Sequence, residues 1–400
     1  MAARAAESRG AVSVAPVSGR SYLDHASTSP LRPEARDALV AALDVVGDPG
    51  RIHAEGLTTR VMVEQAREQV AGLLGARPRE VVFTSGATEA IAAACWGAAG
   101  RGDHQVVPAV EHSAVRLAAA RHAEVTVVPV DGTGRVAVAD LLAAVRDDTA
   151  LVHLQWGNHE VGTVQPVAEA VAACRGRGVL THVDAAQAVG RVPVAFRELG
   201  ADLLSVSAHK FGGPPGVGAL LVRQGLRLPA LLVGGDQERA RRAGLENVPA
   251  LAGLGAACAS LAGAEATGPG GGVADEGAEQ RRLTGRILAA VGTPGFEDLR
   301  VYGDPDDRLP HIVCLGVEGI EPQAVLLGLD RAGIAAHSGS ACSSESLEPS
   351  PVLEAMGVDA HHSLRLSVGW STTDADVDRL LDALPRVLAD LRALARRVHG

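Results

Sequence analysis

Short β-branched runs alternate along this chain with longer stretches whose apolar positions recur at helical spacing. The short runs are "EVVFTS" (80–85), "HQVVPAV" (104–110), "EVTVVPV" (124–130), "ALVHLQW" (150–156), "GVLTHVD" (178–184), "DLLSVSA" (202–208) and "GVGALLV" (216–222). Between most of them lie helical patterns such as "TEAIAAACWGAA", "SAVRLAAARHA" and "PVAEAVAACRGRG". Strand–helix alternation over this length predicts an α/β fold, with a mainly parallel sheet sandwiched by helices. In such sheets ligands gather at the loops that leave the carboxyl ends of the strands, so chemistry is expected there.

The alternation breaks at "AGAEATGPGGGVADEG" (262–277), which reads by composition as a flexible Gly-rich linker. It divides a large domain, 21–261, from a smaller α+β C-terminal domain, 278–400. The first residues of the large domain are expected to pack with the small one. Runs "HIVCLGV" (311–317), "GIAAHS" (333–338) and "SLRLSVG" (363–369) predict strands in the smaller domain. The closing "TTDADVDRLLDALPRVLADLRALARRVHG" predicts a helix, because threonine at its start, acids in its first turn and arginines near its end suit capping and the macrodipole. Pro385 is expected to kink or restart that helix. Residues 1–20 lack the continuous apolar core of a secretory signal and read as a disordered extension, with an organellar transit peptide as the alternative.

Composition narrows the function. A hydrophobic content of 47% over 400 residues is enough to bury a sizeable core. The net charge of −10 argues against a nucleic-acid partner, which would call for basic patches to neutralise phosphates. No apolar run approaches the roughly 18 residues of a membrane span. Five cysteines without a CxxC pair suit a reducing cytoplasm better than a disulfide framework or a structural zinc site. Cys95, Cys174, Cys258 and Cys314 stand in Ala- and Val-rich patterns, where a thiol behaves as a small core hydrophobe. Cys342 stands instead in "HSGSACSSES", a Ser/Gly run that predicts a loop, and reads there as either an incidental surface thiol or a reactive one.

Lys210 is the only lysine in the chain; the other 36 of the 37 Lys and Arg residues are arginine. It closes the strand-like "SVSAHK", just before a Gly/Pro turn that lets the backbone approach a ligand closely. An amine, unlike a guanidinium, can lose its proton and form a Schiff base. "FTSGATEA" places Ser85, Gly86, Ala87 and Thr88 at a strand-to-helix turn, which is either a plain helix cap or an anion cradle suited to phosphate. "THVDAAQA" delivers Asp184 at the end of an apolar run, where a carboxylate caps a helix or keeps a ring nitrogen protonated. A phosphate cradle, a carboxylate and a lone lysine are together the parts of a pyridoxal phosphate site.

From "YLDHASTSP" (22–30), "FTSGATEA", "EHSAV" (111–115), "NHEVGTVQPV" (158–167) and "HVDAAQAVGRVP" through "SAHKFGGPPGVGALLVR", "RRAGLENVPALAGLG" (241–255), "SGSACSSESLEPS" (338–350) and "HSLRLSVGW" (362–370), the chain resembles the cysteine desulfurases. These are fold-type I enzymes of the class V aminotransferase superfamily, and the motifs stand in family order over nearly all of the chain after residue 20. The resemblance implies a large pyridoxal-phosphate-binding domain in which Lys210 holds the cofactor as a Schiff base. Asp184 would pair with the pyridine nitrogen and Gln187 with the phenolic oxygen. Ala87, Thr88, Ser207 and His209 would hold the phosphate, and His112 would stack on the ring and help move protons. Arg365 would bind the carboxylate of L-cysteine, a task suited to a planar bidentate donor. Cys342 would take the substrate sulfur as a persulfide, leave L-alanine, and pass the sulfur to an acceptor protein; its surroundings resemble the long-loop subgroup.

A homodimer is implied by the family. Three positions depart from its pattern. His159 stands where an asparagine usually touches the cofactor, Leu245 where a threonine usually reaches the phosphate of the partner subunit, and Asp48 where asparagine is usual. A weaker hold on the cofactor is therefore expected, although His159 can still donate a hydrogen bond. The alternatives left open are another class V enzyme (a selenocysteine lyase, a C–S lyase releasing sulfide, or an aminotransferase) and a non-catalytic scaffold of a sulfur-transfer pathway.

Overall fold

The seven runs that read as strands in the first half of the chain form one sheet. The computed structural model describes residues 19–262, 272–339 and 349–399. Across the sheet the order is Val81–Thr84, Gly218–Val222, Leu203–Ser207, Leu180–Asp184, Thr149–Gln155, His104–Pro108 and Glu124–Val128. All neighbours are parallel except those of Gly218–Val222, which runs antiparallel to both of its partners. The inner strands Thr149–Gln155, Leu203–Ser207 and Gly218–Val222 are buried along their whole length, as a sheet covered on both faces requires. Helices Ala87–Ala98 and Val167–Gly176 occupy runs with helical spacing, and Ser113–His122 does the same.

Three helices outside that alternation complete the larger core: Pro33–Leu43, Ala54–Leu73 and Val248–Ala262. Their buried residues, among them Ala35, Val63, Val70, Leu251 and Leu254, join Val152, Val183 and Val206 of the sheet in one apolar cluster. A second cluster gathers Leu283, Val313, Leu315, Leu364, Leu380 and Leu388 around an antiparallel sheet ordered Ser363–Ser367, Ile312–Val317, Leu299–Tyr302. Leu23 belongs to this second cluster, and Ser21–Tyr22 pairs in parallel with Ile334–Ala335. The run 333–338 is strand only at Ile334–Ala335, with one further bridge from His337 to Arg365.

Two expectations change. The closing segment is one helix, Asp374–His399, which passes Pro385 without restarting. Proline removes one backbone hydrogen bond, but Val377, Leu380, Leu384 and Leu388 on either side are fully buried, and Gly295 leaves the ring room: a Cβ there would lie 2.9 Å from that of Pro385. Of the Gly-rich 262–277, positions 263–271 lie outside the described residues, and from Gly272 the chain is already helical in Gly272–Ala290. Glu276 explains why that part is ordered. Its carboxylate takes two hydrogen bonds from the Arg32 guanidinium, at 2.6 and 2.7 Å, with both side chains buried.

The segment 1–18 and the Cys342 loop at 340–348 also lie outside the described residues. Among the described residues no helix is long and apolar enough to cross a membrane. Cys95, Cys174, Cys258 and Cys314 are all free and buried. Burial pushes the Cys95 and Cys314 thiols up to about 12, that of Cys174 to about 11, and that of Cys258 well up too, so these four are packing residues with little thiolate.

Candidate active site

The carboxyl ends of the parallel strands converge on a cleft of about 490 Å³. Ala87, Thr88, His112, His159 and Asp184 line it together with Gln187, Ser207, His209, Lys210 and Arg365. Cys342 is outside the described residues, and Leu245 is 63% exposed and takes no part in lining this cleft.

The cradle turn follows strand Val81–Thr84 and opens helix Ala87–Ala98. Gly86 there has φ 151° and ψ −177°, a region only glycine occupies without strain. The turn lies hard against the sheet: a Cβ at Gly218 would sit 2.7 Å from the Gly86 Cα. Ser207, at the end of its own strand, brings its hydroxyl beneath the turn, 3.8 Å from where a Gly86 Cβ would be. The first helical turn leaves its N–H groups without intrahelical partners, which suits an anion. Ser85 N–H is instead taken by Glu89, at 2.8 Å, and Glu89 is held in turn by Arg242 at 2.9 Å.

Lys210 lies in the single turn Ala208–Lys210 that follows strand Leu203–Ser207. Its ammonium donates to the carbonyls of Ala26 and Ser27, at 2.7 and 2.8 Å. Burial, and then the positive charges of Arg365 and Arg191, lower its basicity to about 8, against the opposing pull of Asp24 and Asp184. Asp184 is buried at the end of strand Leu180–Asp184, where desolvation raises its pKa; Oδ1 accepts from Ala186 N at 3.0 Å. Gln187 donates to Ala26 O at 2.8 Å, and its carbonyl meets His311 Nε2 at 3.1 Å.

His112 caps helix Ser113–His122 by accepting Ala114 N–H on Nδ1 at 3.1 Å, so a neutral ring carries its proton on Nε2. Burial and the neighbouring charges of His159, Lys210 and Arg116 lower its pKa to about 3, which keeps it neutral. The His159 ring meets it edge-on, centroids 5.0 Å apart. His159 is itself held through its backbone: its carbonyl accepts from Arg365 Nη1 at 2.8 Å, and Glu160 of the same turn accepts from the Ser350 hydroxyl at 2.5 Å. His209 touches Thr28 Oγ1 at 3.1 Å and is lowered to about 4, chiefly by burial.

Some of these residues carry no role in the sequence reading. Asp24, Ala26 and Ser27 stand inside "YLDHASTSP", and Arg191 inside "HVDAAQAVGRVP", but nothing local announces that they reach Lys210 and Arg365. Buried Arg191 donates to the Lys210 carbonyl at 2.8 Å and so fixes the turn that carries the amine.

Neutral buried histidines make stability depend on pH. His112 and His182 are lowered to about 3 and His209 to about 4, while His25, His153 and His311 lie well below the ordinary value. Below about pH 6.5 the unfolded chain binds protons that the folded chain refuses. The histidine contribution to stability is therefore expected to be full above that pH and to fall steadily as pH drops toward 3. Urea midpoints measured from pH 8 to pH 4 check this; a flat profile between 6.5 and 4 would refute it.

A cleft at the carboxyl edge of a doubly covered sheet, with a glycine-shaped anion cradle, a buried carboxylate and one amine, defines a class of enzyme. The chain belongs to the class-V aminotransferase family, which matches residues 21–380. Within it the chain is similar to cysteine desulfurases: it is 40% identical to cysteine desulfurase IscS 1 of Archaeoglobus fulgidus, over 94% of this chain and 98% of that one. It is 42% identical to a cysteine desulfurase of Cereibacter sphaeroides, over 94% and 97% of the two chains. Among solved structures, a NifS-like protein superposes with a TM-score of 0.84 at 30% identity, covering 93% of this chain and all of its own. A NifS-like protein from Rickettsia africae gives a TM-score of 0.83 at 26% identity, over 92% and 99%.

Proposed function

We propose that the chain is a pyridoxal-phosphate-dependent cysteine desulfurase that converts L-cysteine to L-alanine and passes the sulfur, held as a persulfide on Cys342, to an acceptor protein. The carrying observation is Lys210: the one lysine of the sequence lies in the cleft with its basicity lowered to about 8, beside a buried carboxylate. The relatives named cysteine desulfurase, matched over nearly their whole length, support the same reading.

The residues fit the cofactor. The turn at Gly86 with the Ser207 hydroxyl beneath it, and with His209 alongside, suits a phosphate. One oxygen of Asp184 is satisfied by Ala186 N–H, which leaves the other to accept a cationic ring N–H, the state a buried carboxylate needs a partner to hold. Gln187, steadied by Ala26 and His311, would be the partner of the ring's phenolic oxygen. Pyridoxal phosphate, when bound, supplies an electron sink that acidifies the substrate Cα–H.

The chain's own groups do the rest. Lys210 Nζ, close to neutrality, takes the Cα proton and later returns one. His112, neutral with its proton on Nε2, donates over the cleft. Arg365 receives the substrate carboxylate. Cys342 thiolate attacks the substrate sulfur: an S–S bond forms, the Cβ–S bond breaks, and its electron pair stays on carbon, which is protonated to the methyl group of alanine. A homodimer working in the cytoplasm completes the reading.

Cys342→Ser tests it. With L-cysteine and a thiol reductant, the unaltered protein is expected to release alanine and sulfide; with L-cysteine alone, it is expected to show one added sulfur on the Cys342 peptide by mass spectrometry. The variant should lose at least about a hundredfold of that turnover, since a hydroxyl is not ionised at neutral pH. Equal turnover of L-cysteine by both proteins would overturn the reading, with pyruvate as product pointing to a C–S lyase and the 2-oxo acid of cysteine to an aminotransferase.

A further inference from the structure

The guanidinium of Arg365 is already engaged. Nη1 donates to the His159 carbonyl at 2.8 Å, and Nη2 donates to Asp24 Oδ1 at 3.0 Å and to Ser27 Oγ at 2.7 Å. Ser27 itself donates to the same Asp24 oxygen at 2.8 Å, which closes a three-membered ring of polar groups. Arg365 is 3% exposed and the Asp24 side chain 16%. The remaining nitrogen, Nε, is buried without a partner.

A guanidinium grips a carboxylate with two teeth in only two ways, end-on through Nη1 and Nη2 or side-on through Nε and Nη2. Both use Nη2. In this chain Nη2 has spent its two hydrogens on Asp24 and Ser27. A two-toothed grip on a substrate carboxylate therefore requires one of them to let go, and Asp24, the like-charged group, is the one the incoming anion repels. The bare Nε and the half-used Nη1 show that the present arrangement leaves donors unmatched, which is the condition for exchange rather than simple addition.

We propose that Asp24 is a resident carboxylate that an amino-acid substrate displaces from Arg365, and so sets how tightly the cleft holds the substrate's carboxylate end. The inference rests on the reading of Arg365 as the substrate-carboxylate receptor. Displaced from Arg365, Asp24 keeps Ser27 Oγ as a donor and its charge acts on Lys210, whose ammonium is held by the Ala26 and Ser27 carbonyls of the same segment. Exchange at Arg365 thus pulls on the segment that docks the amine. Asp24 acts through Arg365 and is a positioning residue.

The test uses Asp24→Asn, which keeps the shape and removes the charge, on protein loaded with pyridoxal phosphate. Equilibrium binding of L-alanine, followed by cofactor absorbance, is expected to tighten at least about fivefold in Asp24→Asn, the size of one charge-assisted hydrogen bond relieved of competition. Ethylamine, which has the amine but no carboxylate, is expected to bind the two proteins within about twofold. That control removes any effect of Asp24 on Lys210 itself. If Asp24→Asn binds L-alanine no better, or more weakly, Asp24 serves to aim Arg365 rather than to compete for it, and the proposal fails. Arg365→Gln separates this from failure of the receptor reading: unchanged L-alanine binding there refutes Arg365 as the receptor, whereas weakened binding there with no gain in Asp24→Asn refutes only the exchange. Should Asp24→Asn fail to fold, Ser27→Ala frees the other Nη2 hydrogen and removes a donor that steadies Asp24, and is expected to tighten L-alanine in the same direction, with no change overturning the proposal.

Discussion

Lys210→Arg is expected to lower turnover of L-cysteine by at least about a thousandfold, because arginine keeps the charge but cannot give up a proton at any working pH. The side chain it replaces is half-buried among carbonyl oxygens and under the charges of two arginines, a setting that drives the amine toward its neutral form at about pH 8. Capture of pyridoxal phosphate by the cofactor-free protein should accordingly speed up as pH rises through about 8. Borohydride reduction of the loaded protein gives a sharper reading, since Lys210 carries the only side-chain primary amine in the sequence. The cofactor mass should appear on one internal peptide of the unaltered protein and on none of Lys210→Arg. Label confined to the amino terminus, or turnover preserved in the variant, would remove Lys210 from the mechanism.

The second large effect concerns stability. Glu238 is buried and accepts hydrogen bonds from both Arg67 Nη atoms at 2.7 Å and from Phe83 N at 2.8 Å. It stands at the start of three consecutive non-glycine residues with left-handed backbone, φ 50°, 58° and 60° at Glu238, Arg239 and Ala240. Each costs about 1–3 kcal/mol unless the surroundings hold it. The ion pair is what holds it. Glu238→Ala strips Arg67, 2% exposed, of its buried partner, leaving it only the exposed Glu64 carboxylate at 3.1 Å and the Val81 carbonyl, and is expected to cost about 3 kcal/mol. Urea unfolding should show this as a lower midpoint at unchanged slope.

The same segment carries Arg242, which holds Glu89 against Ser85 of the cradle turn, so weaker retention of phosphate is expected alongside the stability loss. Glu238→Gln, which keeps an acceptor for Phe83 N, should fall between the two proteins. A loss below about 1 kcal/mol for Glu238→Ala would mean that the pair and the strained turn relax independently.

Much of the site was legible because its parts sit at local signals. A strand followed by Ser-Gly-Ala-Thr, a strand ending in Asp184 and a strand ending in Lys210 each mark a carboxyl edge, and parallel strands bring their carboxyl edges together. As a restart signal, Pro385 was misleading for the opposite reason. A local rule weighs one lost hydrogen bond, while the helix is held by a buried apolar face that the rule does not see. The ordered start of helix Gly272–Ala290 was hidden likewise, because its anchor, Arg32, lies far away in the chain.

The alternation of periods, the solitary lysine and the order of the motifs were decided by sequence alone, since each is a property of neighbours along the chain. Tertiary structure alone decided that Asp24 holds Arg365, that the Ala26 and Ser27 carbonyls hold Lys210, and that His112 is neutral. Those are properties of charge and burial summed over segments brought together from opposite ends of the chain. No window of sequence contains both partners, and no periodicity reports the local dielectric that sets whether an amine or an imidazole keeps its proton.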